Sequence, residues 1–264
     1  MKLVADTHVH IYPCQDTGRA FSVLSQNLMR LSGDAVFRLA FLTERAECHL
    51  FDDLRSGRVT PPLGFEIGKT GDEAALWVLR DGKRDFLLFA GRQIVTRERL
   101  EVLCLAAACN IPDGQPTAEV VKQVQASGGL PVIAWSPGKW FFRRGAIVKQ
   151  MIDIHHPGAL ALGDTTLRPT MWPTPGLMNY GRELSHRVIA GTDALPVAGE
   201  ERLLATYGSI LDMPFDPEHP ARSFVQAFTN GDVVTRTVGR RSGAIDVIKR
   251  LRSYRRRDTQ PATS

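Results

Sequence analysis

No stretch of the 264-residue sequence approaches the roughly eighteen consecutive apolar residues that a membrane-spanning helix needs. Its start also lacks a basic segment followed by a long apolar one, so no signal peptide is expected. Cysteine is scarce: Cys14, Cys48, Cys104 and Cys109 form no CxxC pattern. That spacing argues against a disulfide framework and against a thiolate zinc site, and it fits reduced thiols in a cytoplasmic protein. Internal repeats and low-complexity linkers are missing too, so a single domain over residues 1–257 with a disordered tail at 258–264 is the simplest organisation. There is also little charge imbalance outside one segment. From Lys249 onward stand six basic residues and one acid, Asp258, and the remainder holds 27 of each sign. A broad basic face is therefore not implied. The basic end is read first as a solvated helix terminus, where cations suit the helix dipole, ahead of contact with nucleic acid or an anionic membrane.

What is present is a regular alternation of short apolar runs and helical patterns, the signature of βαβ units. The apolar fraction of 43% is enough for a packed core. Strands are expected over Lys2–His8, Ala35–Leu42, Leu130–Ala134, Ala159–Leu162 and Arg187–Ala190. Leu100–Ala107 is ambiguous by periodicity and is assigned mostly to strand. Helices are expected over Phe21–Leu31, His49–Leu54, Pro116–Ser127, Phe141–Ile152 and Thr174–Leu184. Ala75–Leu79 and Phe86–Ala90 flank Asp81-Gly82, a hairpin signal that predicts an antiparallel excursion. The remainder reads as helical: Glu200–Leu211, a segment from Asp216-Pro217 to Asn230-Gly231, and Ser242–Arg257 with Ile245, Ile248 and Leu251 inward. The fold class is α/β, a distorted TIM-like β/α barrel of seven strands with a hairpin excursion and C-terminal helices.

The chemistry sits at the strand ends. His8 and His10, at i and i+2 on the first strand, point to one face and present two imidazoles together. In a parallel barrel the C-terminal ends of the strands share one mouth, where active sites are built. The residues following the other strands are Glu44, Gln93, Trp135-Ser136, Asp164-Thr165-Thr166 and Asp193. Asp193 is the best third ligand, since Gly191-Thr192 allows a sharp turn; its rival role is a turn cap. Two histidines and a carboxylate suit one divalent ion, zinc, manganese or iron. Asp193 or Glu44 would act as base, and Gln93 would orient water or substrate. Arg92, Lys139 and Arg168 are candidate contacts to an anionic small-molecule substrate, with Trp135 as a wall and Asp164 beside Arg168. Glu44 and Asp164 could equally pair with Arg45 or Arg168. His155-His156 and His186 precede strands and are disfavoured as ligands.

In order, Asp6-Thr7-His8-Val9-His10, Leu42-Thr43-Glu44, Gly91-Arg92-Gln93-Ile94, Gly128-Gly129-Leu130-Pro131-Val132-Ile133-Ala134 and Gly191-Thr192-Asp193-Ala194 resemble the polymerase and histidinol phosphatase (PHP) domain family. The resemblance covers residues 1–195. It implies a distorted seven-stranded barrel related to the metal-dependent amidohydrolases, a cluster of two or three metals, and phosphoester hydrolysis. Thr43-Glu44-Arg45 departs from the family's Thr-Asp-His, and Gln93 stands where the family has a bridging glutamate. Trp135 replaces a histidine, Leu195 replaces another, and the histidine expected near Leu103 is missing. A full trinuclear cluster cannot be assembled from what remains. The expectation is a hydrolase of the phosphoesterase or amidohydrolase type with a single metal on His8, His10 and Asp193. The alternative is an inactive barrel that has lost its metal and serves as a binding or scaffolding module.

Overall fold

The computed structural model describes residues 1–258, so the expected tail beyond Asp258 lies outside the described residues. Strands β1 (Lys2–Val9), β2 (Phe37–Glu44), β5 (Lys83–Val95), β6 (Glu101–Leu105), β7 (Leu130–Ala134), β8 (Ala161–Thr165) and β9 (Val188–Gly191) follow one another around a barrel-shaped sheet. Helices α1 (Thr17–Ser32), α2 (Leu50–Ser56), α3 (Thr117–Ala126), α4 (Phe142–Ile154) and α5 (Gly176–Glu183) connect them. The excursion is the pair β3 (Phe65–Lys69) and β4 (Ala75–Arg80), hydrogen-bonded to each other, with β4 joined to β5. β10 (Tyr207–Asp212) adds to the other side of β1, and β11 (Val234–Gly239) adds to β10. Helices α6 (Pro220–Asn230) and α7 (Ala244–Asp258) complete the chain.

Closure is nearly complete. The seam between β9 and β1 has no ladder; it is bridged by the Thr7 hydroxyl to Ala190 O (3.0 Å), Asp193 N to His8 O (2.8 Å) and, from β10, Ser209 Oγ accepting from Ala190 N (2.8 Å). Gly191 makes this approach possible, because a Cβ there would lie 2.3 Å from His8 N. Inside, Leu3, Ala5, Leu39, Phe41, Leu87, Phe89, Leu103, Val132 and Ile189 form one buried cluster. Phe224 and Phe228 of α6 join it, with Phe41 stacked on Phe89 (4.4 Å) and tilted against Phe224 (4.6 Å). Alternate residues such as Val4, Ala40, Leu42 and Leu88 face outward against α1.

Three expectations are corrected. Glu200–Leu211 is not a helix: Glu200–Leu203 is one 3-10 turn and Tyr207–Asp212 is a strand paired with β1. The leucines fit a helical period, but tertiary pairing to an open edge overrides that local preference. The barrel is also less regular than βαβ repetition suggests, because β6 runs antiparallel to β5 and β7. Only Thr96–Leu100 separates β5 from β6, far short of the dozen residues a parallel crossover requires. Finally, Ile245 and Ile248 of α7 are 69% and 49% exposed, whereas Val247 and Arg250 turn inward. The hairpin at Asp81-Gly82 is present, with φ of 50° and 70° giving the backbone twist that flanking strands favour.

The bulge in β1 positions the site. Simple alternation from Leu3 and Ala5 inside would send His8 outward. The pairing register with β2 shifts between Asp6 and Val9, and Val9 joins the outer cluster with Val4. The extra residue re-aims His8 and His10 toward the barrel interior.

Candidate metal centre

His8, His10 and Asp193 come together: one ligand atom of each lies within 4.8 Å of the others. His8 Nε2 and His10 Nε2 are 3.1 Å apart, and Asp193 Oδ1 lies 3.6 and 3.7 Å from them. Gln93 Oε1 approaches the same two nitrogens at 2.8 and 3.0 Å. Gln93 reaches in because it shares the inward parity of Leu87 and Phe89 on β5. Asp193 has φ of 55°, a left-handed conformation that a short polar side chain tolerates. All four side chains are buried, with exposures of 2% for each histidine and 7% for Asp193 and Gln93.

The donor set fits a cation. The two imidazole nitrogens and the amide make three mutual contacts, and no assignment of protons, with the amide in either orientation, turns all three into linear hydrogen bonds. A single ion facing all of them removes the conflict. Donors about 2.0–2.2 Å from a tetrahedral ion stand roughly 3.3–3.6 Å apart, close to the observed separations. His10 is held well below the usual imidazole range, first by burial and then by His8, which keeps it in the neutral, ligating form. Burial pushes Asp193 up, against the opposing influence of His8.

Other sequence candidates sit elsewhere. Glu44 has the outward parity of Ala40 and Leu42, and its Oε1 accepts from Leu50 N (2.5 Å) at the start of α2. It lines a cavity of about 200 Å³ with Arg92, Cys48 and Cys109, outside the barrel. Trp135 is directed to the outer cluster with Trp140 and Ile133, its ring 6.5 Å from Trp172. Asp164 and Arg168 are committed to each other: Arg168 Nε and Nη2 meet Asp164 Oδ1 and Oδ2 at 2.8 and 2.5 Å, and the Tyr207 hydroxyl donates to Oδ2 at 2.7 Å. Arg168 Nη1 then donates to Trp172 O and Pro173 O, fixing the loop after β8. Lys139 is paired with Glu101 at 2.5 Å, and both act electrostatically on Asp193. His186 is spent on the carbonyls of Leu160 and Ile152.

Several neighbours of the centre were not singled out from the sequence. Tyr12 stacks on His10 (5.2 Å, 29°); it continues the two-residue spacing of His8 and His10, a signal that could have found it. Arg45 and Glu101 act on Tyr12, and Arg250 donates to Asp193 O at 3.1 Å. Nothing local in the sequence marks these last three.

No family model and no curated protein matches the chain. Among solved structures, PsfC from Pseudomonas syringae PB-5123 is similar over 98% of each chain, at 15% identity and a TM-score of 0.60. A two-domain protein from Bacteroides vulgatus containing a predicted PHP-like metal-dependent phosphoesterase matches 96% of this chain and 70% of its own, at 13% identity and a TM-score of 0.50. Endonuclease Q, in complex with a 27-mer duplex carrying an abasic lesion, matches 87% of this chain and 57% of its own, at 12% identity and 0.51. The chain shares the barrel fold of these structures. At these identities the likeness is one of architecture, and the barrel here carries its own set of side chains at the mouth. Among the described residues, no helix is long and apolar enough to cross a membrane.

Glu44 gives the outer cavity a pH signature. Burial pushes its carboxyl up to about 7, against the lowering effect of the Leu50 and Phe51 amides. A raised folded-state value means that the stability is fully present below the ordinary carboxyl range and is lost as pH rises through about 7. Glu44→Gln keeps an acceptor for Leu50 N without the ionisation. The variant is expected to match the parent at pH 4 and to exceed it by about 2–3 kcal/mol at pH 8 in urea unfolding.

Proposed function

We propose that this protein is a metal-dependent hydrolase with a single divalent ion held by His8, His10 and Asp193, and with Gln93 Oε1 beside them. The convergence of those four polar atoms, without any proton assignment that satisfies them, carries the reading. Support at the level of architecture comes from the PHP-like phosphoesterase and Endonuclease Q neighbours. When bound, such an ion acidifies a water and polarises a phosphoryl or carbonyl oxygen.

The chain's own residues supply the rest. The β1 bulge aims both imidazoles at one point before any ion arrives. Asp193, a carboxylate whose proton affinity burial has increased, is suited to accept a proton from the attacking water. Gln93, neutral where a carboxylate would add charge, leaves the ligand set with one formal negative charge against the two positive charges of a divalent ion, a net charge of +1 that favours an anionic ester over repelling it. The substrate class is a small phosphoester, or an ester or amide of similar size.

Protein purified without added metal should contain about one equivalent of zinc, manganese or iron by elemental analysis, as a single-ion site requires. It should also hydrolyse a member of a generic phosphoester, ester and lactone panel in a chelator-sensitive way. Absence of metal, with thermal stability indifferent to chelator and to added Mn²⁺, would overturn the reading in favour of a binding module.

A further inference from the structure

The four side chains of the centre are buried, and the last helix is tied to the backbone of one of them. Arg250 of α7 is 8% exposed and fully engaged. Its Nε and Nη2 hold Glu200 at 2.7–3.0 Å, Nη1 reaches Thr166 Oγ1 (2.9 Å) and Ser242 Oγ (3.1 Å), and Nη2 donates to the carbonyl of Asp193. Thr166 lies on the loop after β8, Asp193 and Glu200 follow β9, and Ser242 precedes α7 itself. Four residues along the helix, Tyr254 lies beside Arg45, the residue that follows β2, and acts on its guanidinium. β10 takes the other edge of β1 only at Lys2–Ala5, so at its C-terminal end β1 lies between the end of β9 and β2. A helix tied to the rims of β9 and β2 therefore crosses the end of β1, where His8 and His10 are.

The dimensions agree. Two strand spacings amount to about 10 Å, and Arg250 to Tyr254 rises about 6 Å. The long arginine and tyrosine side chains span the difference. What holds α7 down is mostly polar: Val247 is its one apolar residue under 5% exposed, while Ile245 and Ile248 face solvent. A helix with so little apolar burial opens at low cost compared with the barrel beneath it.

We propose that α7 is a lid over the His8–His10–Asp193 centre, latched at Arg250 and at Tyr254, and that it lifts to admit substrate. The admission of substrate rests on the hydrolase reading; the covering of the two histidines does not. Arg250 is thereby also a positioning residue, since it fixes the backbone of Asp193 in its left-handed conformation.

The test uses full-length, metal-free protein and diethyl pyrocarbonate, with carbethoxylation of each histidine followed by mass spectrometry and exposed His49 as internal standard. In the parent, His8 and His10 should react at least about tenfold more slowly than His49, as protection by a closed local structure requires. Tyr254→Phe removes only the hydroxyl and should raise their rate about threefold or more while leaving the melting temperature nearly unchanged. Arg250→Gln should raise it further, and if that variant fails to fold, Tyr254→Phe still decides. Unchanged protection in Tyr254→Phe, or parent histidines as reactive as His49, would overturn the lid. In metal-loaded protein, the same variants should release the ion to a chromogenic chelator faster. A protein that binds no ion would end the hydrolase reading while leaving the labelling result to judge the lid.

Discussion

Replacing His8 and His10 together by alanine is expected to eliminate stoichiometric metal and to reduce hydrolytic turnover by on the order of 1,000-fold, because an ion's stabilisation of developing charge is worth several kcal/mol. The argument starts from β1. Its bulge turns both imidazoles inward, where their Nε2 atoms stand 3.1 Å apart and share Gln93 Oε1. Truncation removes two of four donors at once, and Asp193 with one amide oxygen cannot hold a divalent ion against water. Metal-free, relief of the crowded nitrogens is opposed by the cavity and by the Gln93 and Asp193 groups left without the imidazoles, so the effect of the ion is read as the gain on adding metal to each protein. In saturating metal the parent gains about 4 kcal/mol at a thousandfold excess over its dissociation constant, and the variant gains nothing. Gln93→Ala should be milder, with weaker metal retention and the ion still bound. Urea unfolding with and without metal, beside elemental analysis, reads each of these. Equal stabilisation of parent and double variant by metal would place the ion elsewhere.

The parts of this architecture that could be read from the sequence are those fixed by local pattern. Leu130–Ala134 is a strand because a short, wholly apolar run between Gly129 and a turn has few alternatives. The Asp81-Gly82 hairpin follows from two residues that accept positive φ. The i, i+2 spacing of His8 and His10 puts them on one face whatever surrounds them. What escaped depends on the fold as a whole. Strict alternation cannot reveal a bulge, so it cannot tell that His8 faces inward while Glu44, at the end of the neighbouring strand, faces α2. Leu203, Leu204, Tyr207 and Leu211 fall at helical spacing, and Tyr207–Asp212 becomes a strand only because β1 offers a free edge. Arg250 sits in a run of cations that reads as solvated, yet Glu200, fifty residues earlier, draws it under the helix. Arg168 and Asp164 satisfy one another, a pairing the four-residue spacing allowed. A strand-end position thus locates a polar residue at the mouth; which way it turns is decided by partners distant in sequence.

Asp6 should be the most sensitive position for stability outside the proposed metal ligands. It is fully buried, and its carboxyl accepts four hydrogen bonds: His8 N (3.1 Å) and Thr192 N (2.8 Å) on Oδ1, and Ala205 N (2.8 Å) and the Thr192 hydroxyl on Oδ2. Burial pushes its pKa up, with the four donors acting against that. These bonds tie the bulge in β1 to the turn carrying Asp193 and to the approach to β10, where Ala205 itself has φ of 52°. Asp6→Ala leaves three backbone amides without an acceptor in a space that excludes water, while the Thr192 hydroxyl keeps only the longer bond to Leu203 O (3.3 Å). At about 1–3 kcal/mol for each stranded buried group, partly relieved by relaxation, a loss of about 4–5 kcal/mol is expected, a large share of the stability of an ordinary domain. Asp6→Asn separates charge from geometry. Its amide keeps one oxygen and turns an NH₂ toward donors, so about half of that loss should remain. Urea midpoints for the two variants, measured without metal, test the order. Parity of both with the parent would mean that Thr192 and Ala205 hold the seam without Asp6. A loss in Asp6→Ala alone would assign the effect to the cavity, leaving the donors satisfied by other means.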